Sequence, residues 1–533
     1  MKTLLKNALI YDGGGDAPYK SDVLIEDEHI AEVGENLDHS DAQIIDLEGL
    51  SLSSGFIDAH SHNDWFSIKK QPKKYFEPFA RQGITSFISG NCGLSATGFE
   101  ESSMHKEKMG GGLFHLRDNT GEYPTLPEYF DAIDRKSPVN TAMLMGHCSA
   151  RTSVAGYDER KLTDSERKRM MAILEDGLKA GACGVSLGLM YEPGLYAPFD
   201  ELKEVARLCE KYDVPLTVHA RALSAVSMAY ANPFGKPHLL RALDEIEKIT
   251  EGLKLKLQYS HAVFIGKRSL KHWSEVIEGL DRMRTKGVDT MFDIFVDDIG
   301  ISVITVIMPA WFQALSPQDK RKPLNKLKFT ALVNVTKSLL GFGFDNILVA
   351  YAGEGNEQFE GKTVHEIAGE LGMSDIDAYL HVCEVSEYAG RVLMNPYNTR
   401  EITDELSKHD HVLLMTDAWV EEHGQQYQAM YDCFPKFLHL SLNGHGDTFA
   451  RTIRKMTGAT ADRFSLKDRG YIRPGYFADI TIFDEDKLKH GTPNVCEPFG
   501  IETVYINGRR VLDGGNLDED AFMTAGHAMR VQR

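Results

Sequence analysis

The chain has 533 residues, 42% hydrophobic and 26% charged, an ordinary globular composition with room for more than one domain. Its 59 Lys and Arg against 78 Asp and Glu give a net charge of -19, which argues against nucleic acid and anionic membrane as partners. No apolar stretch is long enough to span a bilayer, and seven scattered cysteines do not read as a disulfide framework, so the expectation is a cytoplasmic protein.

Residues 1–53 read as short strands and turns: "DVLIEDEHIAEVGE" alternates apolar and polar, and "YDGGGD" is a turn. From residue 54 the character changes to strand-like runs alternating with helix-like ones. "TDSERKRMMAILEDGLKAG" opens with Thr163 and Glu166 in a capping-box pattern and sets Met170, Leu174 and Leu178 on one stripe. "GACGVSLGL" then reads as a strand. "DELKEVARLCEKYDVP" follows as a helix, with Leu202, Val205, Ala206 and Cys209 at helical spacing, before the strand "LTVHAR". Eight strand candidates fall near 54–62, 84–92, 140–148, 182–189, 215–221, 256–263, 288–295 and 411–417. Repeated strand–helix units of this number suggest a closed parallel (β/α)8 barrel over 54–465. The gap before the last strand is too long for one crossover and reads as an insertion around 297–360. Residues 466–533, with "GYFADITIFD" and "GIETVYINGRRVLDGG", return to short strands.

In such barrels functional groups sit at the C-terminal ends of the strands. Here strand one runs into "GFIDAHSHND". In a strand, residues two apart share a face, which puts Phe56, Asp58, His60 and His62 together. Strand two ends in "SGNCG" with Cys92, strand three in "GHCSAR" with His147, and strand five in "VHAR" with His219. Strand six ends in "YSHAV" with His261 and strand eight in "MTDAW" with Asp417. Taken singly, each histidine reads as a hydrogen-bonded polar residue, Cys92 as an inert buried thiol and Asp417 as a helix N-cap. Several histidines, a thiolate candidate and a carboxylate on one rim are hard to explain by packing, and they suit a divalent metal.

These stretches, with "GACGVSLGLMYEPGLYA" and "KMTGATADRFSLKDRGYIRPGYFADITIFD", resemble the amidohydrolase superfamily and, within it, the N-acyl-D-amino-acid deacylases (D-aminoacylases). The resemblance implies a TIM-like barrel with a small β-sandwich built from both chain ends. It implies zinc as cofactor, one ion held tightly and a second left open. His60 and His62 match the first-strand pair, and Cys92 a metal-ligating cysteine used where other members carry a carbamylated lysine. His219 and His261 match the histidines of the tight site, and Asp417 matches the strand-eight aspartate. The implied reaction is hydrolysis of an amide C–N bond in a small molecule. Metal-bound hydroxide attacks the carbonyl and Asp417 shuttles the proton. Tyr191 is retained from the family pattern, and Arg221 and Arg151 are candidates for charge near the substrate, though either could only tie loops together. A homo-oligomer is left open.

The chain departs from the family where a lysine and an arginine grip the substrate carboxylate. Val263 and Ala429 stand at those positions, and Phe295 replaces a tyrosine. Arg221, Lys267 or Lys436 would have to substitute, or the substrate is not an N-acyl-D-amino acid; acidic N-acyl-D-amino acids should be poor substrates. The alternatives are a cyclic amide hydrolase of the dihydroorotase or hydantoinase kind and a non-catalytic scaffold.

Overall fold

The computed structural model describes residues 2–105, 109, 114, 122–230, 232, 234–493 and 499–533. Eight parallel strands form the barrel wall in chain order: Phe56–Asp58, Ile84–Ser89, Asn140–Gly146, Gly184–Gly188, Pro215–His219, Lys256–Tyr259, Asp289–Ile294 and Val412–Leu414. Their residues are almost entirely buried, as expected where helices cover the outer face and side chains fill the interior. The helices follow their sequence signals. Asp164–Lys179 starts at a capping box in which the Glu166 N–H donates to Thr163 Oγ1 at 3.3 Å and the Thr163 N–H to Glu166 Oε2 at 2.8 Å. Phe199–Tyr212 buries Leu202, Val205, Ala206 and Cys209.

The seam between strands eight and one carries no regular ladder among the described residues. Two main-chain bonds cross it, from the Ala59 N–H to the Leu414 carbonyl at 3.5 Å and from the Asp417 N–H to the His60 carbonyl at 3.2 Å, and the Asp58 carboxylate adds to them by accepting from Thr416 Oγ1 at 2.5 Å and from the Thr416 N–H at 3.1 Å. The same carboxylate accepts the His60 N–H at 3.1 Å, so one buried side chain both helps close the barrel and turns the chain toward its histidines. The first strand is therefore shorter than 54–62, and His60 and His62 lie in the turn beyond its ladder.

Both chain ends build one nine-stranded sheet. Lys2–Tyr11 pairs with Tyr19–Glu26 and Ser51–Ser54, and Ser51–Ser54 pairs in turn with Ile480–Phe483 from the C-terminal segment. Its apolar core unites Leu5, Ile10, Val23 and Leu52 with Ile480, Ile482 and Tyr505. Between strands seven and eight the chain makes a three-stranded antiparallel sheet, Gly300–Val303, Ile347–Tyr351 and Arg391–Met394, together with the helices Pro323–Leu340, Val364–Leu371 and Asp375–Val385. This unit runs past residue 360, because its central strand is the last one in sequence. No described helix is long and apolar enough to cross a membrane.

Candidate metal centre

Cys92 is the hub of the strand-end cluster. Its Sγ lies 3.3 Å from His60 Nε2, 3.4 Å from His219 Nδ1 and 3.4 Å from His261 Nε2. His62 closes a second group with His60 and Cys92, and within each three-residue group the ligand atoms lie within 4.8 Å of one another. All five residues are buried. Asp417 Oδ1 stands 3.6 Å from both His60 Nε2 and His62 Nε2, and its side chain keeps some contact with solvent.

The spacing tests whether a metal fits. Four ligands about 2.0–2.3 Å from a tetrahedral zinc lie roughly 3.3–3.8 Å from each other. The sulfur–nitrogen separations of Cys92 from His219 and His261 fall in that interval, and all three ligand atoms lie within 4.8 Å of one another, so the group fits a tetrahedral ion. The donor set, imidazole nitrogen with one thiol, suits zinc better than calcium or magnesium, which take oxygen ligands.

Electrostatics agree with ligands waiting for a cation. Burial lowers His60 and His261 to about 3 and holds His62 and His219 well below the ordinary value, so all four imidazoles are neutral and keep a lone pair to give. Burial, then the nearby Asp417 and Asp293 carboxylates, push the Cys92 thiol up. Burial and the neighbouring Asp293 and Asp58 raise Asp417. Without a cation the pocket disfavours its own anions; a divalent ion reverses that for both groups.

The backbone is bent to make this arrangement. Cys92, His261 and Asp417 all have left-handed φ values, 53°, 33° and 50°. For residues with a Cβ this costs on the order of 1–3 kcal/mol each and is met chiefly where function requires it. The Cys92 loop is pressed onto strand four so closely that a Cβ at Gly188 would sit 1.9 Å from the Cys92 carbonyl oxygen. Asp64 holds the loop from the other side by accepting the Gly90 and Ala96 N–H groups at 3.3 and 2.8 Å.

Two carboxylates that sequence reasoning did not single out position the ligands. Asp58 was read only as a neighbour of the histidines, and its seam-closing role is described above. Asp293, at the end of strand seven, is fully buried. It accepts the His261 N–H at 2.6 Å and Gln258 Nε2 at 2.8 Å, and it stands 3.5 Å from His60 Nδ1. Asp293 therefore fixes the main chain at His261 through its N–H and places a negative charge beside the His60 ring, whose Nδ1 makes no hydrogen bond among the described residues. The signal was present as an aspartate at a strand end in "FDIFVDD", a stretch read only for Phe295.

The remaining candidates divide. The ring of Tyr191 packs on His219, centroids 4.7 Å apart, so it borders the cluster. Arg151 is not a group offered to substrate: it is buried, donates to Glu201 Oε1 at 3.0 Å and the Arg160 carbonyl at 2.7 Å, and shares Glu201 with His147. Arg221 is committed to Glu245 through Nε and Nη2 and to the Leu195 carbonyl at 2.6 Å. Lys436 is paired with Asp297, and Lys267 is exposed beside Gly341. Arg391, from the inserted sheet, was not foreseen. It lies over the Trp419 ring, which packs on His62, and its charge is met by Glu421 at 2.7 Å. Val263 and Ala429 are buried.

A (β/α)8 barrel whose strand ends converge on imidazoles, a thiol and an aspartate is the arrangement of a candidate metal centre. Comparison with known proteins agrees. The Amidohydrolase family profile matches residues 43–297. An N-acyl-D-aspartate deacylase from Alcaligenes xylosoxydans xylosoxydans is 26% identical, over 96% of this chain and 92% of its own. A D-aminoacylase from the same organism is 25% identical over 99% and 96%. The crystal structure of N-acyl-D-glutamate deacylase from Bordetella bronchiseptica, complexed with zinc and a phosphonate inhibitor, shares the fold at a TM-score of 0.77, with 22% identity over 99% of both chains. The chain resembles the amidohydrolases over residues 43–297 and the D-aminoacylases, hydrolases of amide C–N bonds, along nearly its whole length.

Proposed function

We propose that this protein is a zinc-dependent deacylase of N-acyl-D-amino acids whose side chains are apolar rather than acidic. The observation that carries the reading is Cys92 Sγ at 3.3–3.4 Å from three neutral imidazoles, with Asp417 beside them. Cys92, His219 and His261 would hold the tight ion, and His60 and His62 complete a second position next to it. Zinc bound there supplies Lewis acidity toward an amide carbonyl and lowers the pKa of a nearby water.

The protein's own groups do the rest. Asp417 Oδ1 lies beside His60 and His62, where it takes a proton from water and returns it to the amide nitrogen, which leaves poorly unless protonated. Asp293 fixes the main chain at His261 and places a negative charge beside His60. Trp419 packs against His62 and keeps bulk water from that side. Preference against acidic side chains follows from the cations. Arg391, buried over Trp419 beside His62, has an ion pair to Glu421 but no hydrogen bond from its guanidinium among the described residues, and is the cation left for the single α-carboxylate. Arg221 and Lys436 already have carboxylate partners, so a second substrate carboxylate would be desolvated without a matched charge. The six described cysteines are free thiols, which supports a reducing, cytoplasmic setting.

The test is kcat/KM across N-acetyl-D-leucine, N-acetyl-D-glutamate, a neutral linear amide and a hydantoin, using zinc-loaded enzyme. The proposal expects D-leucine to lead. A preference for the hydantoin would move the protein to cyclic amide hydrolysis, and a preference for the diacid would mean that a cation reaches the pocket.

A further inference from the structure

We infer that the acyl arm of the substrate is a medium-length aliphatic chain, received by an apolar channel between the barrel loops and the inserted unit. The inference rests on the deacylase reading above and names its substrate more closely.

The channel has two adjoining parts. The inner part borders the metal centre through Tyr191, which packs on His219, and Leu94, two residues beyond Cys92. Arg221 and Glu192 also line it, but Arg221 is held by Glu245 and the Leu195 carbonyl and Glu192 by the Tyr196 hydroxyl. The outer part runs under the insertion, walled by Ile265 of the strand-six loop and by Ile307, Val333, Leu340 and Phe344. Met190, Ser227, Met228 and Val306 line both, so the two parts lie side by side with a flexible methionine wall in common.

Three of the polar groups along the outer part already have partners. Ser224 Oγ donates to the Val226 carbonyl at 2.8 Å, and Ser227 is engaged with His238 Nδ1. Lys337 is paired with Asp375 at 3.7 Å. A ligand arm entering here meets mainly methionine and aliphatic surface. Methionine walls adapt to chains of different length.

The placement of Asp417 decides which arm enters. The leaving nitrogen must lie within reach of the carboxyl that protonates it, and Asp417 flanks His60 and His62. Tyr191 flanks His219, a different member of the cluster. With the nitrogen beside Asp417, the carbonyl substituent leads toward His219 and Tyr191, into the channel. The insertion thus supplies the outer wall of the acyl site.

The experiment measures kcat/KM for N-acetyl-, N-butanoyl-, N-hexanoyl- and N-octanoyl-D-leucine on zinc-loaded enzyme. Each methylene transferred from water to an apolar site is expected to raise kcat/KM roughly threefold until the channel is full, and about thirtyfold or more overall. Ile307→Trp, and as a milder filling Val333→Phe, should cut the octanoyl-to-acetyl ratio at least about tenfold, the loss of two or more buried methylenes. A flat chain-length profile in the unaltered enzyme overturns the inference, as does an unchanged ratio in folded variants. Calorimetric binding of N-octanoyl- and N-acetyl-D-leucine to zinc-loaded Asp417→Asn protein separates the two readings. Tighter octanoyl binding without turnover by the unaltered enzyme would keep the channel and discard the deacylase. Equal binding of the two would discard the channel.

Discussion

Replacing Asp417 by Asn isolates proton transfer from every other feature of the site. The side chain is isosteric, and Asn is one of the residues that accept the left-handed backbone found here, φ 50°. The main-chain bond from the 417 N–H to the His60 carbonyl, 3.2 Å, does not depend on the side chain. The carboxyl is raised by burial and by Asp293 and Asp58, so exchanging it for a neutral amide removes no stabilising charge from the metal-free protein. Cys92, His219 and His261 are untouched, and zinc content should be retained. What is lost is a proton acceptor 3.6 Å from His60 and His62. General acid–base groups contribute about 10²–10⁴ in rate, or about 3–5 kcal/mol of barrier. The assay is kcat/KM for N-acetyl-D-leucine at matched zinc occupancy, with the melting temperature as control. A hundredfold loss with an unchanged melting temperature is expected. A zinc-replete Asn variant within tenfold of the unaltered rate would show that another group moves the proton.

Asp293→Ala should lower zinc affinity about 10–100-fold, the usual cost of removing a carboxylate that orients ligating histidines, as read by competition with a chromogenic chelator. A pH test concerns the buried pair behind strand three. Burial works against a charged His147, but hydrogen bonds to Cys148 and Glu201 outweigh it and leave its pKa at about 9. A folded pKa above the ordinary 6.5 means the protonated form favours folding. That stability is fully present below pH 6.5 and is lost as pH rises through about 9, a term of roughly 3 kcal/mol. The melting-temperature gap between the unaltered protein and His147→Gln should therefore shrink from pH 6 to pH 9.5; parallel curves would show that His147 is neutral in the fold.

Much of this site was legible because its chemistry sits at strand ends, where residue type is informative even without contacts. The histidines, Cys92 and Asp417 fall on one rim once the eight strands are placed in order. The two arginines show what a single sequence withholds. Arg151 and Arg221 read as charge near substrate until Glu201 and Glu245, 50 and 24 residues away, are seen to neutralise them. Asp293 was overlooked because its value lies in what it accepts across strands six and seven, not in its own neighbours. The extent of the insertion was hidden for a similar reason: its central strand, Arg391–Met394, follows two long helical stretches and joins the sheet only through non-local pairing.

The most direct test of a metal-dependent amide hydrolase at this cluster is a titration of zinc into chelator-stripped enzyme, with kcat/KM for an N-acyl-D-leucine measured at each point. Cys92→Ala is carried in parallel. The stripped protein should be inactive, and activity should return with the first equivalent of zinc. The alanine variant, missing the atom that lies within 3.4 Å of three imidazoles, should neither bind that equivalent tightly nor recover. Full activity in the stripped enzyme, or full zinc retention by Cys92→Ala, would contradict the account.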